Sequence, residues 1–194
     1  MSALLLLPRS AKNHRGAAAT VKWNPLDKDS SVTLSVGNTV ATFPTADRNV
    51  RGDVGRSSGK YYFRLRNSGS GAATAAAGIG NASASLTVRP GLSDANSWAH
   101  QSNANKLHSG FSAYGANWDG INQELMVAVD LTAGTMWFGV SGTWMASGDP
   151  ATGANPSFTG ITAGTYYPIG CSPIGSSKTL TFIVDTPPSG FTYW

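Results

Sequence analysis

One short string in the chain matches a catalytic motif. Gly55-Arg-Ser-Ser-Gly59 has the spacing of the turn that exposes a serine nucleophile in many hydrolases, and Asp94 followed by His100 or His108 supplies an acid and a base in the matching order. That turn works only where a strand bends sharply into a helix, whereas the residues after Gly59 alternate in polarity like a strand. We therefore interpret the string as a chance match in a chain rich in Gly and Ser, and we predict no catalytic residue.

The acidic residues, the histidines and the cysteine predict no metal site. A retaining glycosidase needs two carboxylates about 5 Å apart, but the candidate acids fall in or beside predicted loops, where solvated side chains are expected: Asp94, Asp119, Glu124 and Asp149. Asp27 and Asp29 lack the spacing of an EF-hand loop, and the three histidines lack metal-ligand spacing. The single cysteine, Cys171, excludes an internal disulfide and a cysteine-ligated zinc, and its apolar surroundings predict a buried thiol. We expect no cofactor.

The segment 89–120 is the part of the chain best suited to binding. It combines aromatic residues with amides and carboxylates, which suits either stacking and hydrogen bonding to a sugar or contact with a protein. Trp118 stands between Asn117 and Asp119 in a turn-like context, so we expect its ring to be exposed. The alternative is that the aromatic rings of this segment pack the core. The predicted ligand-binding residues are Asp94, Asn96, Asn117, Trp118 and Asp119.

Short segments with a period of two must position these residues. The predicted strands are Ser31–Val36, Thr39–Phe43, Gly59–Arg66, Thr74–Gly80, Ser83–Val88, Ser97–Gln101, Lys106–Ser109, Glu124–Leu131, Gly134–Val140, Thr165–Ser172 and Lys178–Asp185. Outside the N-terminal residues, no window of ten or more residues shows helical periodicity with caps. The pattern therefore predicts an all-β fold in which two antiparallel sheets pack as a sandwich.

The segment Leu125–Leu131 is apolar on both faces. Val127 and Val129 share one face, and Met126 and Ala128 share the other. This predicts a central strand covered on both sides, joined by a short turn to the aromatic strand that follows. The strand at 60–66 differs because Arg64 and Arg66 give it a polar face, which we expect to be solvated.

Composition and charge limit the class of partner. The chain has 194 residues, and only 12% of them are charged, against about 25% in soluble domains. The net charge is +4. No basic run interleaved with aromatics shares one face, so we do not expect a nucleic-acid partner.

Residues 1–22 are interpreted as an attachment arm ahead of a sandwich domain at 23–194. The apolar run is too short to span a membrane or to resemble a secretory signal, because only five residues precede Pro8 after Met1 and Ser2, and no small-residue cleavage site follows. The arm residues predicted to attach the protein to a particle are Leu4, Leu5, Leu6, Leu7 and Arg9.

The order of the segments from residue 23 to about 192 carries a family resemblance. The segments are Trp23-Asn-Pro, Val32–Ser35, Val40–Thr42, Ser58–Phe63, Gly78–Asn81, Ala113–Gly115, Leu125–Leu131, Thr135–Trp144, Tyr166–Pro168 and Pro187–Phe191. This series resembles the SPRY domain family, in the form found in bacteriophage and prophage virion proteins. Two positions depart from the family pattern: Asn122-Gln123 replaces a frequent Gly-Asp pair, and Ser141 replaces the usual Asn of an Asn-Gly turn.

The resemblance implies a non-enzymatic virion protein with a SPRY-like sandwich. Its partners would be other virion structural proteins and a glycan or protein receptor on the bacterial surface, bound through a tail fibre or tip, and particle symmetry would make it oligomeric. The alternative is a capsid decoration, head-fibre or collar protein. An intracellular SPRY adaptor that binds peptides is a more remote alternative. A virion protein of either kind would be synthesised in the bacterial cytoplasm and would be located in the phage particle.

Overall fold

The computed structural model describes residues 21–68, 74–172 and 178–194, so the predicted arm residues Leu4–Leu7 and Arg9 lie outside the described residues. The strands are β1 (Trp23–Lys28), β2 (Thr33–Ser35), β3 (Val40–Thr42), β4 (Asn49–Gly52), β5 (Lys60–Asn67), β6 (Ala76–Asn81), β7 (Ser97–Gln101), β8 (Asn105–Leu107), β9 (Phe111–Ala113), β10 (Glu124–Asp130), β11 (Thr135–Val140), β12 (Thr143–Trp144), β13 (Tyr166–Cys171), β14 (Thr179–Ile183) and β15 (Thr192–Tyr193). Within the described ranges, the helical structure is a short 3₁₀ turn, Met145–Ser147.

The strands form two sheets, as the sequence predicted. Sheet A has the order β1-β4-β13-β6-β7-β8-β9, and sheet B has the order β12-β11-β10-β5-β14-β3-β2. Neighbours in both orders pair antiparallel, while β15 adds a parallel pair beside the start of β5. The prediction of an all-β, two-sheet antiparallel sandwich is confirmed.

The main core lies between the sheets, and β10 shows how the alternation builds it. Leu125, Val127 and Val129 are fully buried in this core, together with the rings of Trp23, Trp118 and Trp194. Met126 and Ala128 point to the opposite face of sheet B, where they pack in a second cluster with Tyr62, Trp137 and Phe191. The prediction of a central strand buried on both faces is therefore confirmed.

A third, smaller apolar cluster lies on the outer face of sheet A. It contains Ala76, Ala99 and Leu107, with Leu92 packed against it. Cys171, in β13, is buried as predicted, and burial raises the pKa of its thiol. Each sheet thus carries apolar contacts on its outer face as well as in the shared core.

Two sequence predictions about local structure are wrong. Residues 83–88 form turns rather than a strand, because polar side chains form hydrogen bonds with the main chain there. The Asn49 amide donates to the carbonyls of Ser85 and Val88, and Asp94 accepts from the N–H of Ser85. Arg64 is not solvated, since its side chain is 17% exposed and forms ion pairs with Glu124 and Asp185.

Candidate ligand-binding site

Trp118 is buried, so the prediction of an exposed aromatic anchor at this position is wrong. Its ring is 0% exposed and lies in the core between the sheets. The indole N–H donates to Nδ1 of His100 at 2.9 Å, and the main-chain N–H donates to the carbonyl of Ser102. The turn-like residues around Trp118 bring the ring inward because buried His100 provides an acceptor that the indole N–H needs once it leaves water.

His100 is held neutral by the same contacts. It is fully buried on the inner face of β7, and its Nε2 lies 2.9 Å from the carbonyl of Tyr114. Nδ1 must accept from Trp118, so Nε2 carries the proton. Burial lowers the pKa of His100 to about 4, although the bond to the Tyr114 carbonyl opposes that shift.

The five predicted ligand residues do not come together on one surface. Asp94 organises the turn before β7, accepting from the N–H of Asn96 and the hydroxyl of Ser97. Asn117 and Asp119 are exposed, but they flank Trp118, whose main chain bonds to Ser102 just after β7. The length of β7 separates the two groups by roughly 15 Å at about 3.3 Å per residue. A single small ligand cannot contact both groups.

The Gly55–Gly59 string lies in turns before β5, as the interpretation of a chance match expected. Arg56 forms an isolated bridge with Tyr166, and the chain then enters a strand rather than a helix. The two histidines that could serve Ser57 are engaged elsewhere. His100 bonds to Trp118 and Tyr114, and His108 stacks on Trp98 with ring centroids 4.3 Å apart.

An exposed aromatic does occur within 89–120, at Phe111 in the last strand of sheet A. Its side chain is 72% exposed, and it borders an open pocket of about 200 Å³. We call this pocket the Phe111 groove; it is lined by Arg89, Leu92, Gln101, Asn103, Asn105 and Phe111.

The strand register explains why these side chains share a face. Phe111 pairs with Leu107, and Leu107 pairs with Ala99, so all three lie on the outer face of sheet A. Gln101 pairs with Asn105 in the next outward-facing row of the same hairpin. The result is an apolar row beside an amide row at the edge of the sheet.

The loop before β7 forms the other wall of the Phe111 groove. Gly91 fixes this loop: its N–H donates to the hydroxyl of Ser97, and its carbonyl accepts from the N–H of Gly110. A Cβ at Gly91 would lie 2.2 Å from the carbonyl oxygen of Leu107, and φ is +73°. Only glycine allows the loop to approach β8 this closely.

Polar contacts orient the amide row and the arginine. The Arg89 guanidinium donates to Asp47 and to the side-chain oxygen of Gln101, at 3.3 and 3.2 Å. The Asn105 amide donates to the side-chain oxygen of Asn103 at 2.9 Å. Because these bonds restrict the amides before any ligand arrives, binding would immobilise fewer free rotamers.

Among the aromatic rings of 89–120, the sequence predicted Trp118 as the exposed one, whereas the structure buries Trp118 and exposes Phe111. Asn103, Asn105 and Phe111 all lie within the predicted segment 89–120. Phe111 lies just beyond the predicted strand 106–109, in a strand of three residues. Whether Phe111 points outward depends on its pairing with Leu107, and a register between strands cannot be read from one short strand. The sequence signal for a turn at this point is Gly110, which lies between Ser109 and Phe111.

Across 21–68, 74–172 and 178–194, no three His, Cys, Asp or Glu side chains lie close enough to hold a metal ion. No helix within those ranges is long and apolar enough to cross a membrane.

Comparison with known proteins gives the fold a family context. No family model and no curated protein matches the chain. Among solved structures, it is similar to the SPRY domain of human HERC1, at 14% identity and a TM-score of 0.65, with 82% of this chain and 96% of that one covered. It is also similar to the TRIM65 PSpry domain, at 14% identity and a TM-score of 0.64, covering 86% and 93%. Stonustoxin matches at 21% identity and a TM-score of 0.62 over 84% of this chain, which is 27% of the length of that protein. The fold of this chain is therefore a SPRY-like β-sandwich.

Proposed function

We propose that the protein is a non-enzymatic binding module that holds an extended segment of a protein partner in the Phe111 groove. The observation that carries this proposal is the Phe111 side chain, 72% exposed beside a restrained row of amides. Aromatic anchors of this kind supply a large share of binding energy in protein interfaces. The likeness to SPRY domains supports a binding role at the level of the fold only.

The chemistry of the groove suits a peptide main chain. Side-chain amides both donate and accept, so Gln101, Asn103 and Asn105 can bond to the N–H and C=O groups of an extended segment. Leu92 and Phe111 offer the apolar contact for one of its side chains. Because β9 is the last strand of sheet A among the described residues, an added segment can also pair with the main-chain edge that no described strand occupies.

We propose further that this module belongs to a bacteriophage particle and that its partner is a receptor on the bacterial surface. The order of the sequence segments and the low share of charged residues support this placement. In the alternative, a capsid decoration protein, the same groove would contact a neighbouring virion subunit. Mass spectrometry of purified particles tests the placement, and absence of the protein from them would contradict it.

A matched pair of exposed variants tests the groove. Phe111→Ser should reduce retention of the purified protein on host cells, or on particles that lack it, by roughly 5- to 100-fold, as expected for loss of one aromatic anchor. Leu26→Ser is the control, because Leu26 is 95% exposed in β1, at the opposite edge of the same sheet. Retention on cells indicates the receptor role, and retention on particles indicates decoration. Equal loss in both variants would refute the groove as the binding surface.

A further inference from the structure

A second pocket lies on the outer face of sheet B, away from the Phe111 groove. It has a volume of about 210 Å³ and is open to solvent on one side. We call it the Trp144 pocket; its lining residues are Tyr62, Met126, Gly142, Trp144, Asp185, Thr186 and Pro188. Strands β5, β10 and β12 supply one wall, and the segment after β14 supplies the other.

The aromatic wall of the Trp144 pocket depends on a glycine. Trp144 pairs with Gly139 in β11, and Gly139 pairs with Met126 in β10, so the indole lies on the outer face of the sheet. A Cβ at Gly139 would lie 2.9 Å from Cε of Met126 and 3.1 Å from the indole ring. The missing side chain lets Trp144 lie close to the sheet, where it meets Tyr62 edge-on with ring centroids 6.3 Å apart.

Asp185, the charged residue in the lining of the Trp144 pocket, belongs to a charge-balanced network behind it. Arg64 joins Asp185 to Glu124, and Arg66 also pairs with Glu124, so two guanidinium groups face two carboxylates. Such a closed network offers no surplus charge to attract an ion. A neutral ligand is the class that this balance favours.

Asp185 still has acceptor capacity toward the pocket. One carboxylate oxygen accepts from Arg64 and lies 3.5 Å from the Tyr62 hydroxyl, while the other accepts from the N–H of Thr186. A carboxylate offers about four lone-pair sites, so ligand hydroxyls can add to these bonds. Partial burial would raise the pKa of Asp185, but the Thr186 N–H and Arg64 lower it overall, so the acceptor is ionised at neutral pH.

We infer that the Trp144 pocket binds one ring of a neutral sugar. The indole of Trp144 offers a flat apolar surface for the C–H face of a pyranose, and Asp185 and Thr186 offer partners for its hydroxyl groups. The pocket is smaller than the roughly 300–1,000 Å³ typical of sites for drug-sized ligands, which suits a single ring. This site does not depend on the proposed role of the Phe111 groove, because the two lie on different sheets.

Saturation-transfer NMR on the whole chain tests this inference with a panel of neutral sugars: glucose, galactose, mannose, rhamnose and N-acetylglucosamine. At least one sugar should bind at millimolar concentration and receive saturation mainly on the protons of one ring face. Trp144→Ala should weaken that binding by about tenfold or more. Thr186→Arg should block it as well, and because Thr186 is exposed this variant tests the pocket even if Trp144→Ala does not fold.

Phe111→Ser is the control for the sugar experiment and should leave sugar binding unchanged. No binding by any member of the panel would overturn the inference, and so would undiminished binding to the Thr186→Arg variant. Loss of sugar binding in Phe111→Ser alone would also overturn it, since that result would place the sugar in the Phe111 groove. No binding by the panel, or undiminished binding to Thr186→Arg, leaves the proposed role of the Phe111 groove untouched, whereas a sugar placed in that groove would count against a protein partner there.

Discussion

Trp118 and Phe111 show that aromatic side chains of one segment can lie either in the core or on the surface. Trp118 has a polar N–H that finds an acceptor on buried His100, so its ring can leave water without an unpaired donor. Phe111 has no such group, and its pairing with Leu107 places it on the outer face at the sheet edge. Polar turn residues on both sides of a tryptophan are therefore weak evidence that its ring is exposed.

The buried His100–Trp118 pair predicts a pH dependence of stability. In the unfolded chain His100 titrates near pH 6.5, whereas in the folded state its pKa is lowered to about 4. Between these values the unfolded chain binds the extra proton, so stability is fully present above about pH 6.5 and is lost as the pH falls toward 4. We expect the free energy of unfolding to fall by up to about 1.4 kcal/mol per pH unit in this window.

Urea unfolding from pH 7 to pH 4.5 measures this dependence, and a His100→Gln variant isolates the contribution of the histidine from that of the carboxylates. The variant should be less stable at pH 7, because it disturbs the bonds to Trp118 and Tyr114, and it should have a shallower slope below pH 6.5. Parallel slopes for the two proteins would contradict a neutral buried His100.

At the scale of the element, the strands that the sequence predicted best are those whose faces are both constrained. The apolar run of β10 leaves one interpretation, because its odd and even residues enter two different clusters. The short strands β9, β12 and β15 were not predicted, since their two or three residues show no period and no longer alternating segment was recognised around them. β1 was missed for another reason: it contains Pro25, and its register with β4 shifts between Trp23 and Lys28.

The turn between β11 and β12 shows where a departure from a family pattern is absorbed. Ser141 adopts φ of +48° and Gly142 adopts φ of +95°, so both residues have positive φ. Ser accepts positive φ less readily than Asn. The backbone nevertheless keeps Ser141 in the left-handed region, which leaves the hairpin geometry of the usual Asn-Gly pair in place.

The position of β10 predicts the effect of a buried charge. Val129 is fully buried between β5 and β11, so Val129→Asp should place an unpaired carboxylate in the core and unfold the domain. Thermal melting and far-UV circular dichroism measure this. Ser112→Asp is the matched control, because Ser112 is exposed in β9 at the edge of sheet A, and it should melt like the wild type. A soluble Val129→Asp protein with an unchanged melting profile would contradict the strand assignment.

At the scale of the whole molecule, the sandwich has two outer faces, and each carries one of the two proposed sites. Sheet A carries the Phe111 groove, and sheet B carries the Trp144 pocket behind the segment that follows β14. The fold class could be predicted from the sequence because alternation and the order of segments depend on the chain alone. The Trp144 pocket could not be predicted, because it is assembled from strands that are distant in sequence, and only their pairing brings the side chains together. The Phe111 groove is local in sequence, but the face on which Phe111 lies depends on the register of two short strands, β8 and β9.

If residues 1–22 act as the attachment arm that the sequence predicts, folding and attachment should be separable. Val21 and Trp23 are buried in the core, and the Trp23 indole donates to the carbonyl of Leu180, so the sandwich is already closed from residue 21 onward. Deleting residues 2–16 should therefore leave the melting temperature unchanged.

If Leu4–Leu7 attach the protein to a particle, burying these four side chains could contribute roughly 6–10 kcal/mol before ordering costs, and the deletion should abolish incorporation. Incorporation is measured by the amount of protein in purified particles after complementation with the full-length or the shortened chain. A variant in which only Arg9 is replaced by Ala should be incorporated less than the full-length protein, because it loses one charge. It should be incorporated more than the shortened chain, because it keeps the apolar contact of the leucines. Normal incorporation of a stable shortened protein would refute the attachment role of the arm.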